Sequence, residues 1–235
     1  MVNLRREYQY LKNSFQPETV ALAPPAAWRV LDIGGGTGAF TAVIMERCGA
    51  HFGAVVDVSE EAIQARVAGV TVGAVLDVEQ DGALEAFMAK HGPFDLVLCL
   101  DVLEHLVDPW KVVERLHGCL PMNGHILASI PNVQNYRVVL RSFLGTWHYR
   151  ESGLFDRTHL RFFSRRSAQA MMTGSGLDLV AAGVAYGPVP RDRHLSRLSF
   201  GVLDPWLAMQ NLFLVQKRHE RINPMGFFGR NVANS

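Results

Sequence analysis

The run Val30-Leu31-Asp32-Ile33-Gly34-Gly35-Gly36-Thr37-Gly38 constrains this chain more than any other stretch. It joins an apolar segment, residues 28–33, that reads as a buried strand to a segment, residues 39–48, that reads as a helix. Four glycines in five positions serve a backbone that bends sharply and lets a ligand approach closely, because glycine carries no β-carbon. The helix start behind the loop offers unpaired N–H groups to a polar ligand.

The rest of the chain repeats the same strand–helix alternation. Residues 52–58, 70–76, 94–100 and 125–130 read as further strands. Between them lie helices that begin with Ser59 as cap, at residues 81–90, and after Asp108-Pro109, where Asp caps and Pro suits the first helical position. Alternation of this kind specifies an α/β, doubly wound, mostly parallel sheet. After Pro131 the pattern changes. Residues 135–144 read as a helix, 145–160 as an irregular aromatic and basic insert, and Ser164 caps a helix to about Ser175. Residues 177–186 and 210–217 read as late strands, the last expected antiparallel, around a Pro/Arg-rich turn and helix at 188–208. The expected organisation is one domain over 1–235. It has an N-terminal helical arm (1–27), a cofactor-binding half (28–131), an acceptor-side half (132–217) and a tail (218–235).

Composition narrows the function classes. Of the 235 residues 49% are apolar and 19% charged, enough for a sizeable core. A net charge of +1 gives no global field for nucleic acid or membrane. Cys48, Cys99 and Cys119 are odd in number and not clustered, which argues against a disulfide framework or a structural zinc site. No carboxylate/histidine group shows ligand spacing, so no metal is expected. The N-terminus has no apolar core of a signal peptide, and no apolar run reaches membrane-span length. The expectation is a cytoplasmic monomer or homodimer.

Three ligands compete for the glycine loop. A phosphate-binding P-loop needs Gly-Lys-Ser/Thr at its end, whereas Gly38 is followed by Ala39-Phe40. A dinucleotide fingerprint is formally matched by Gly34, Gly36 and Ala39. Asp32, two residues before the first glycine, favours a ligand carrying an ammonium over a pyrophosphate, which it would repel. The run resembles motif I of the class I S-adenosylmethionine-dependent methyltransferases. The resemblance implies a Rossmann-like fold, S-adenosylmethionine as cofactor, and Gly34, Gly36 and Gly38 along its methionine and ribose side. Asp32 would order the loop or meet the amino group through water. Asp57, nineteen residues after Gly38 at the second strand's end, can accept both ribose hydroxyls, with Val58 beside it. At the third strand's end the resemblance gives Asp77 the adenine amino group and the Val78 N–H a ring nitrogen. In related enzymes an N-terminal arm folds over the cofactor, which makes Tyr8 and Tyr10 candidates, Tyr10 foremost.

The second signal is Phe94-Asp95-Leu96-Val97-Leu98-Cys99-Leu100-Asp101-Val102-Leu103-Glu104-His105-Leu106. It resembles motif IV of the subfamily that includes ubiquinone-type O-methyltransferases and many sugar and natural-product enzymes. Leu100 and Asp101 would contact the cofactor mainly through backbone, and His105 would face the acceptor as a base. Glu104 reads equally well as scaffolding. Asp156-Arg157-Thr158-His159-Leu160-Arg161-Phe162-Phe163 resembles a signature in bacterial methyltransferases linked to surface polysaccharides and secondary metabolites, a family mark with no mechanism attached. His159 is a second base candidate. Between Arg137 and Arg166 there are seven arginines and two acids, which suits an anionic small-molecule acceptor met by Tyr149, Arg157 and Arg161. The first expectation is therefore in-line methyl transfer from S-adenosylmethionine to a small molecule, at a hydroxyl of a sugar or natural-product intermediate, with the acceptor's identity left open. An NAD(P)-dependent oxidoreductase, a non-catalytic S-adenosylmethionine-binding protein and an RNA methyltransferase are the alternatives.

Overall fold

The computed structural model describes residues 17–187 and 189–219. The described chain begins with a short helix, α1 (Pro17–Leu22), and then alternates. The order is β1 (Arg29–Ile33), α2 (Ala39–Cys48), β2 (Phe52–Asp57), α3 (Glu60–Gln64), β3 (Val72–Val75), α4 (Ala83–His91) and β4 (Leu96–Leu100). A single 3-10 turn (Leu103–His105), α5 (Pro109–Cys119) and β5 (His125–Pro131) follow. The second half contains α6 (Tyr136–Phe143), α7 (Arg165–Gly174), β6 (Asp178–Ala185), α8 (Pro190–Leu198), α9 (Asp204–Leu207) and β7 (Gln210–Gln216).

The seven strands form one sheet in the order β3-β2-β1-β4-β5-β7-β6. Strands β1 to β5 are parallel, and β7 runs antiparallel between β5 and β6. The order reverses direction between β1 and β4, and a crevice at that reversal is where open α/β sheets bind ligands.

Side chains alternate across the sheet with the period of two that a strand imposes. Leu31, Ile33, Val97 and Cys99 pack on one face with Leu84, Phe87 and Met88 of α4, Val112, Val113 and Leu116 of α5, and Met171 and Met172 of α7. Val30, Leu96 and Leu98 pack on the other with Ile44 and Cys48 of α2 and partly buried Val20 and Leu22 of α1. Both faces are covered, so the central strands are apolar throughout rather than alternating.

Local chemistry fixes the element ends. Ser59 accepts from Ala62 N–H at 3.1 Å, and Asp108 accepts from Lys111 N–H at 3.1 Å with Pro109 in the first turn. Ser164 and Ser167 form a reciprocal capping box before α7. The helix expected at 81–90 starts at Ala83, because Gly82 takes a left-handed conformation at its N-cap. The strand expected at 70–76 is shorter, Val72–Val75. Residues 145–164 contain no helix or strand and are pinned by two isolated bridges, Asn132 to Phe163 and Arg150 to Asp156. Among the described residues no helix is long and apolar enough to cross a membrane. Most of the expected arm (1–16) and tail (220–235) lies outside the described residues.

Candidate active site

The glycine loop leaves β1 at the reversal point. Gly34, Gly36 and Gly38 have φ of +67°, +55° and +74°, conformations that a β-carbon disfavours. Gly34 N–H donates to the Val56 carbonyl at 2.8 Å, and Gly38 N–H to the Gly35 carbonyl at 2.8 Å. A β-carbon on Gly36 would meet nothing within 4 Å, so this side of the loop is open. Gly35 is constrained differently. A β-carbon there would lie 2.6 Å from the Asp32 carboxyl carbon and 2.7 Å from a Val55 methyl. Sequence reasoning singled out Gly34, Gly36 and Gly38 and passed over Gly35; its closeness in sequence to a strand-end carboxylate was the available signal.

Asp32 lies buried beneath the loop and accepts from Thr41 Oγ1 at 2.7 Å. Burial pushes its carboxyl up to about 7, the Thr41 hydrogen bond works against this, and the charge of Asp57 adds to it. Its position ties β1 to the first turn of α2. Asp57 stands on the loop's other side. Its Oδ2 accepts from Gly36 N–H and its Oδ1 from Ser59 N–H, each at 2.8 Å. Val58 is exposed next to it.

Asp77 is exposed just past β3, and its Oδ1 accepts from Glu79 N–H at 2.9 Å. Val78 is buried, and its carbonyl accepts from Arg115 Nη1 at 2.7 Å. Arg115 also donates to the Gln80 carbonyl at 3.0 Å and to both oxygens of Glu85 at 2.5 Å. A side chain on α5 thus holds the backbone of the Asp77–Val78 turn, a role that nothing in the sequence pattern announced.

The turn after β4 closes the crevice. Val102 packs against Gly34, so closely that a β-carbon on that glycine would lie 2.8 Å from a Val102 methyl. Asp101, following Leu100, takes φ +53°, unusual for a residue with a side chain. Its N–H donates to the Ser129 carbonyl at 3.1 Å, and its Oδ1 accepts from Ser129 Oγ at 2.9 Å. The residue as a whole is exposed, yet its carboxyl is hemmed in by protein, and this loss of solvation pushes it up to about 6. The Ser129 bond and the neighbouring His105 oppose that shift.

The segment after β5 folds back onto this turn. The Glu104 carbonyl accepts from Leu160 N–H at 2.8 Å and Arg161 N–H at 2.9 Å. Arg161 Nε donates to the Val107 carbonyl at 3.0 Å, and its guanidinium lies 5.8 Å from the Trp110 ring centroid. Asp156 Oδ1 accepts from Thr158 N–H at 2.8 Å and Thr158 Oγ1 at 2.6 Å. His105 Nδ1 lies 3.2 Å from the Thr158 carbonyl and 3.0 Å from Thr158 Oγ1. The carbonyl can only accept, so Nδ1 carries a proton, and in the neutral imidazole the lone pair is on Nε2. The aromatic and basic signature residues therefore act together as a clasp over the β4 turn.

His105 and His159, far apart in sequence, meet edge to face with ring centroids 4.7 Å apart. His159 Nε2 lies 3.9 Å from Glu104 Oε1. Burial, then the charge of His105, holds the His159 imidazole below its usual range. Glu104 is 1% exposed, and neither of its carboxylate oxygens has a hydrogen-bond partner. Burial, then the charge of Asp101, pushes its carboxyl well above the usual range. One donor atom each from Glu104, His105 and His159 lie within 4.8 Å of one another. The sequence carries no such cluster at ligand spacing; the fold assembles one by bringing residue 159 to the β4 turn.

The remaining expected residues sit farther out. Tyr149 is exposed, its ring 6.5 Å from that of Trp147. Arg157 is exposed and pairs with Glu151 at 3.0 Å. Tyr8 and Tyr10 lie outside the described residues.

These features fit an adenosyl cofactor: an open glycine loop, a carboxylate at the β2 end and a polar turn at the β3 end. A family profile described as a methyltransferase domain matches residues 4–182. A ubiquinone biosynthesis O-methyltransferase from Cupriavidus pinatubonensis is 30% identical over 181 residues, 75% of this chain and 71% of that protein. One from Pseudomonas aeruginosa is 30% identical over 176 residues, covering 73% of this chain and 74% of that protein. Among solved structures, the N-methyltransferase NodS from Bradyrhizobium japonicum in complex with S-adenosyl-L-homocysteine superimposes with a TM-score of 0.54 at 17% identity. That match covers 92% of this chain and 87% of that one. Profile, relatives and geometry agree that the chain belongs to the class I S-adenosylmethionine-dependent methyltransferases.

Proposed function

We propose that this methyltransferase acts on a hydroxyl of a small-molecule acceptor, a sugar or a natural-product intermediate. The observation that carries the reading is the pairing of His105 and His159 at the β4 turn, held there by the segment that follows β5. The relatives named O-methyltransferases support an oxygen nucleophile. S-Adenosylmethionine supplies a methyl group already activated on a sulfonium, so positioning of the acceptor dominates the chemistry.

In this reading Gly34, Gly36 and Gly38 line the methionine and ribose side, with Asp32 ordering the loop from below. Asp57 with Val58 receives the ribose, Asp77 and Val78 the adenine, and Leu100 and Asp101 border the methyl group. Tyr10, which lies outside the described residues, is assigned to the cofactor by the family resemblance alone. A hydroxyl gains from losing its proton as the oxygen–methyl bond forms and the carbon–sulfur bond breaks. His105 Nε2, with its lone pair, and His159 beside it are the groups placed to assist. Arg157 and Tyr149, exposed at the clasp, are assigned to an anionic part of the acceptor. Arg161 is given instead to holding the clasp, because its guanidinium is already engaged by the Val107 carbonyl.

The test is a screen of hydroxylated acceptors, nucleotide-linked sugars among them, for transfer of a labelled methyl group. With an acceptor in hand, His105→Ala and His159→Ala should lower kcat while S-adenosylhomocysteine affinity is kept, and Arg157→Ala should raise acceptor KM. Methyl transfer to nitrogen, or loss of cofactor affinity in the histidine variants, would overturn the reading.

A further inference from the structure

Glu79 stands between the turn that follows β3 and the clasp over the β4 turn, and it touches both. Its N–H donates to Asp77 Oδ1 at 2.9 Å, which ties its backbone to the adenine side. Its carboxylate crosses to the loop before α5. Oε2 accepts from Val107 N–H at 3.0 Å and Oε1 from Asp108 N–H at 2.8 Å. Helix α5 has a cap of its own in the Asp108 side chain, so the Glu79 carboxylate serves the loop and not the helix.

We propose that Glu79 is a positioning residue that couples the adenine turn to the acceptor clasp, so that cofactor bound at Asp77 and Val78 tightens the segment that receives the acceptor. This rests on the reading above, which places adenine at that turn and the acceptor beneath the clasp.

The coupling element is the peptide unit between Val107 and Asp108. Glu79 accepts from its N–H, and Arg161 donates to its carbonyl through Nε at 3.0 Å and through Nη2. A carboxylate and a guanidinium therefore hold opposite ends of one peptide dipole, each by a charge-assisted bond that polarises the other. The unit can turn only by breaking both. Arg161 belongs to the clasp: its own N–H and that of Leu160 donate to the Glu104 carbonyl. On the other side, Val78 and Gln80, the neighbours of Glu79, are held by Arg115 through their carbonyls. Ligand contacts at Asp77 and at the Val78 N–H add anchors to the same turn. Ordering already supplied there lowers the cost of holding the carboxylate on the peptide, which is positive cooperativity through restricted motion.

The experiment is hydrogen–deuterium exchange of the full chain, read over residues 158–163 with and without saturating S-adenosylhomocysteine. In the wild type, bound S-adenosylhomocysteine should slow exchange there by about fivefold, the low end of coupling between sites, because the linking hydrogen bonds are exposed. Saturating adenosine, which carries adenine and ribose but no amino-acid portion, should do the same. Glu79→Gln and Glu79→Ala should still bind S-adenosylhomocysteine at saturation but show no such slowing. A carboxylate that only seated the loop would instead speed exchange equally with and without ligand. Coupling is reciprocal, so Arg161→Gln should weaken S-adenosylhomocysteine binding about fivefold in calorimetry, a measurement independent of whether the Glu79 variants fold. Four results overturn the proposal and leave the cofactor assignment standing: no slowing in ligand-bound wild type, slowing kept in the Glu79 variants, slowing that adenosine does not give, or wild-type affinity in Arg161→Gln. Failure of the wild type to bind S-adenosylhomocysteine overturns the cofactor assignment and the coupling with it.

Discussion

Replacing Asp32 with asparagine removes a carboxylate that the fold keeps out of water at the end of β1. In the folded chain its carboxyl titrates at about 7, against 3.8 for an unperturbed group. The folded state therefore holds a proton that the unfolded state releases between these two values. The contribution of this group to stability is fully present below pH 3.8, falls as pH rises, and is lost once pH passes about 7. At 1.36 kcal/mol per pH unit, the shift of about three units amounts to about 4 kcal/mol, of which about 3 lies between pH 5 and pH 7. Asparagine has nearly the same shape, can still accept from Thr41 Oγ1, and has no charge to lose. Urea unfolding of the cofactor-free protein at pH 5 and pH 8 reads the effect. Relative to wild type, the variant should gain about 3 kcal/mol on going from pH 5 to pH 8. Parallel stability–pH curves for the two proteins would refute the claim that Asp32 is buried without a compensating cation.

Other substitutions probe the parts around it. Gly35→Ala forces a β-carbon onto the Asp32 carboxyl and Val55 and should cost about 1–3 kcal/mol in thermal or urea unfolding. Gly36→Ala meets open space but a left-handed backbone, and should cost about 1–2 kcal/mol while acting mainly on cofactor affinity. Arg115→Ala leaves the Val78 and Gln80 carbonyls without their donor; unfolding should show a loss of about 2–3 kcal/mol, together with weaker S-adenosylhomocysteine binding. The half-exposed Glu85 partner contributes little of that loss, because solvent screens the ion pair. Thr158→Val deletes the hydroxyl beside His105 Nδ1 and should lower kcat by about fivefold, the value of one hydrogen bond, with cofactor affinity unchanged in calorimetry.

The sheet was readable because its strands are buried on both faces and therefore appear as unbroken apolar runs, as in Leu96–Leu100. The caps were readable because Ser59, Asp108 and Ser164 act within three residues of their own position. Gly34, Gly36 and Gly38 were readable because positive φ is a local property of the chain. Contacts across large sequence separations were not. Nothing in a linear pattern places the Arg115 guanidinium on the Val78 carbonyl, or His159 against Glu104. Glu104 itself looked equally suited to scaffolding, and only its burial without a hydrogen-bond partner distinguishes it. Of the arginines between residues 137 and 166, Arg157 and Arg161 read from the sequence as contacts for an anionic acceptor, and the pattern could not show that the Arg161 guanidinium meets the Val107 carbonyl or that Arg137 pairs with Asp192 of α8.

The most direct test of the account is calorimetric titration of the wild-type chain and of Asp57→Ala with S-adenosylhomocysteine, and separately with NAD(H). Asp57 joins the glycine loop to the end of β2 through Gly36 and Ser59, and is the residue assigned to the ribose. Binding of S-adenosylhomocysteine on the order of micromolar, lost in folded Asp57→Ala and not matched by NAD(H), is the expected result. Binding of NAD(H) alone, or S-adenosylhomocysteine binding unchanged by the substitution, would contradict it.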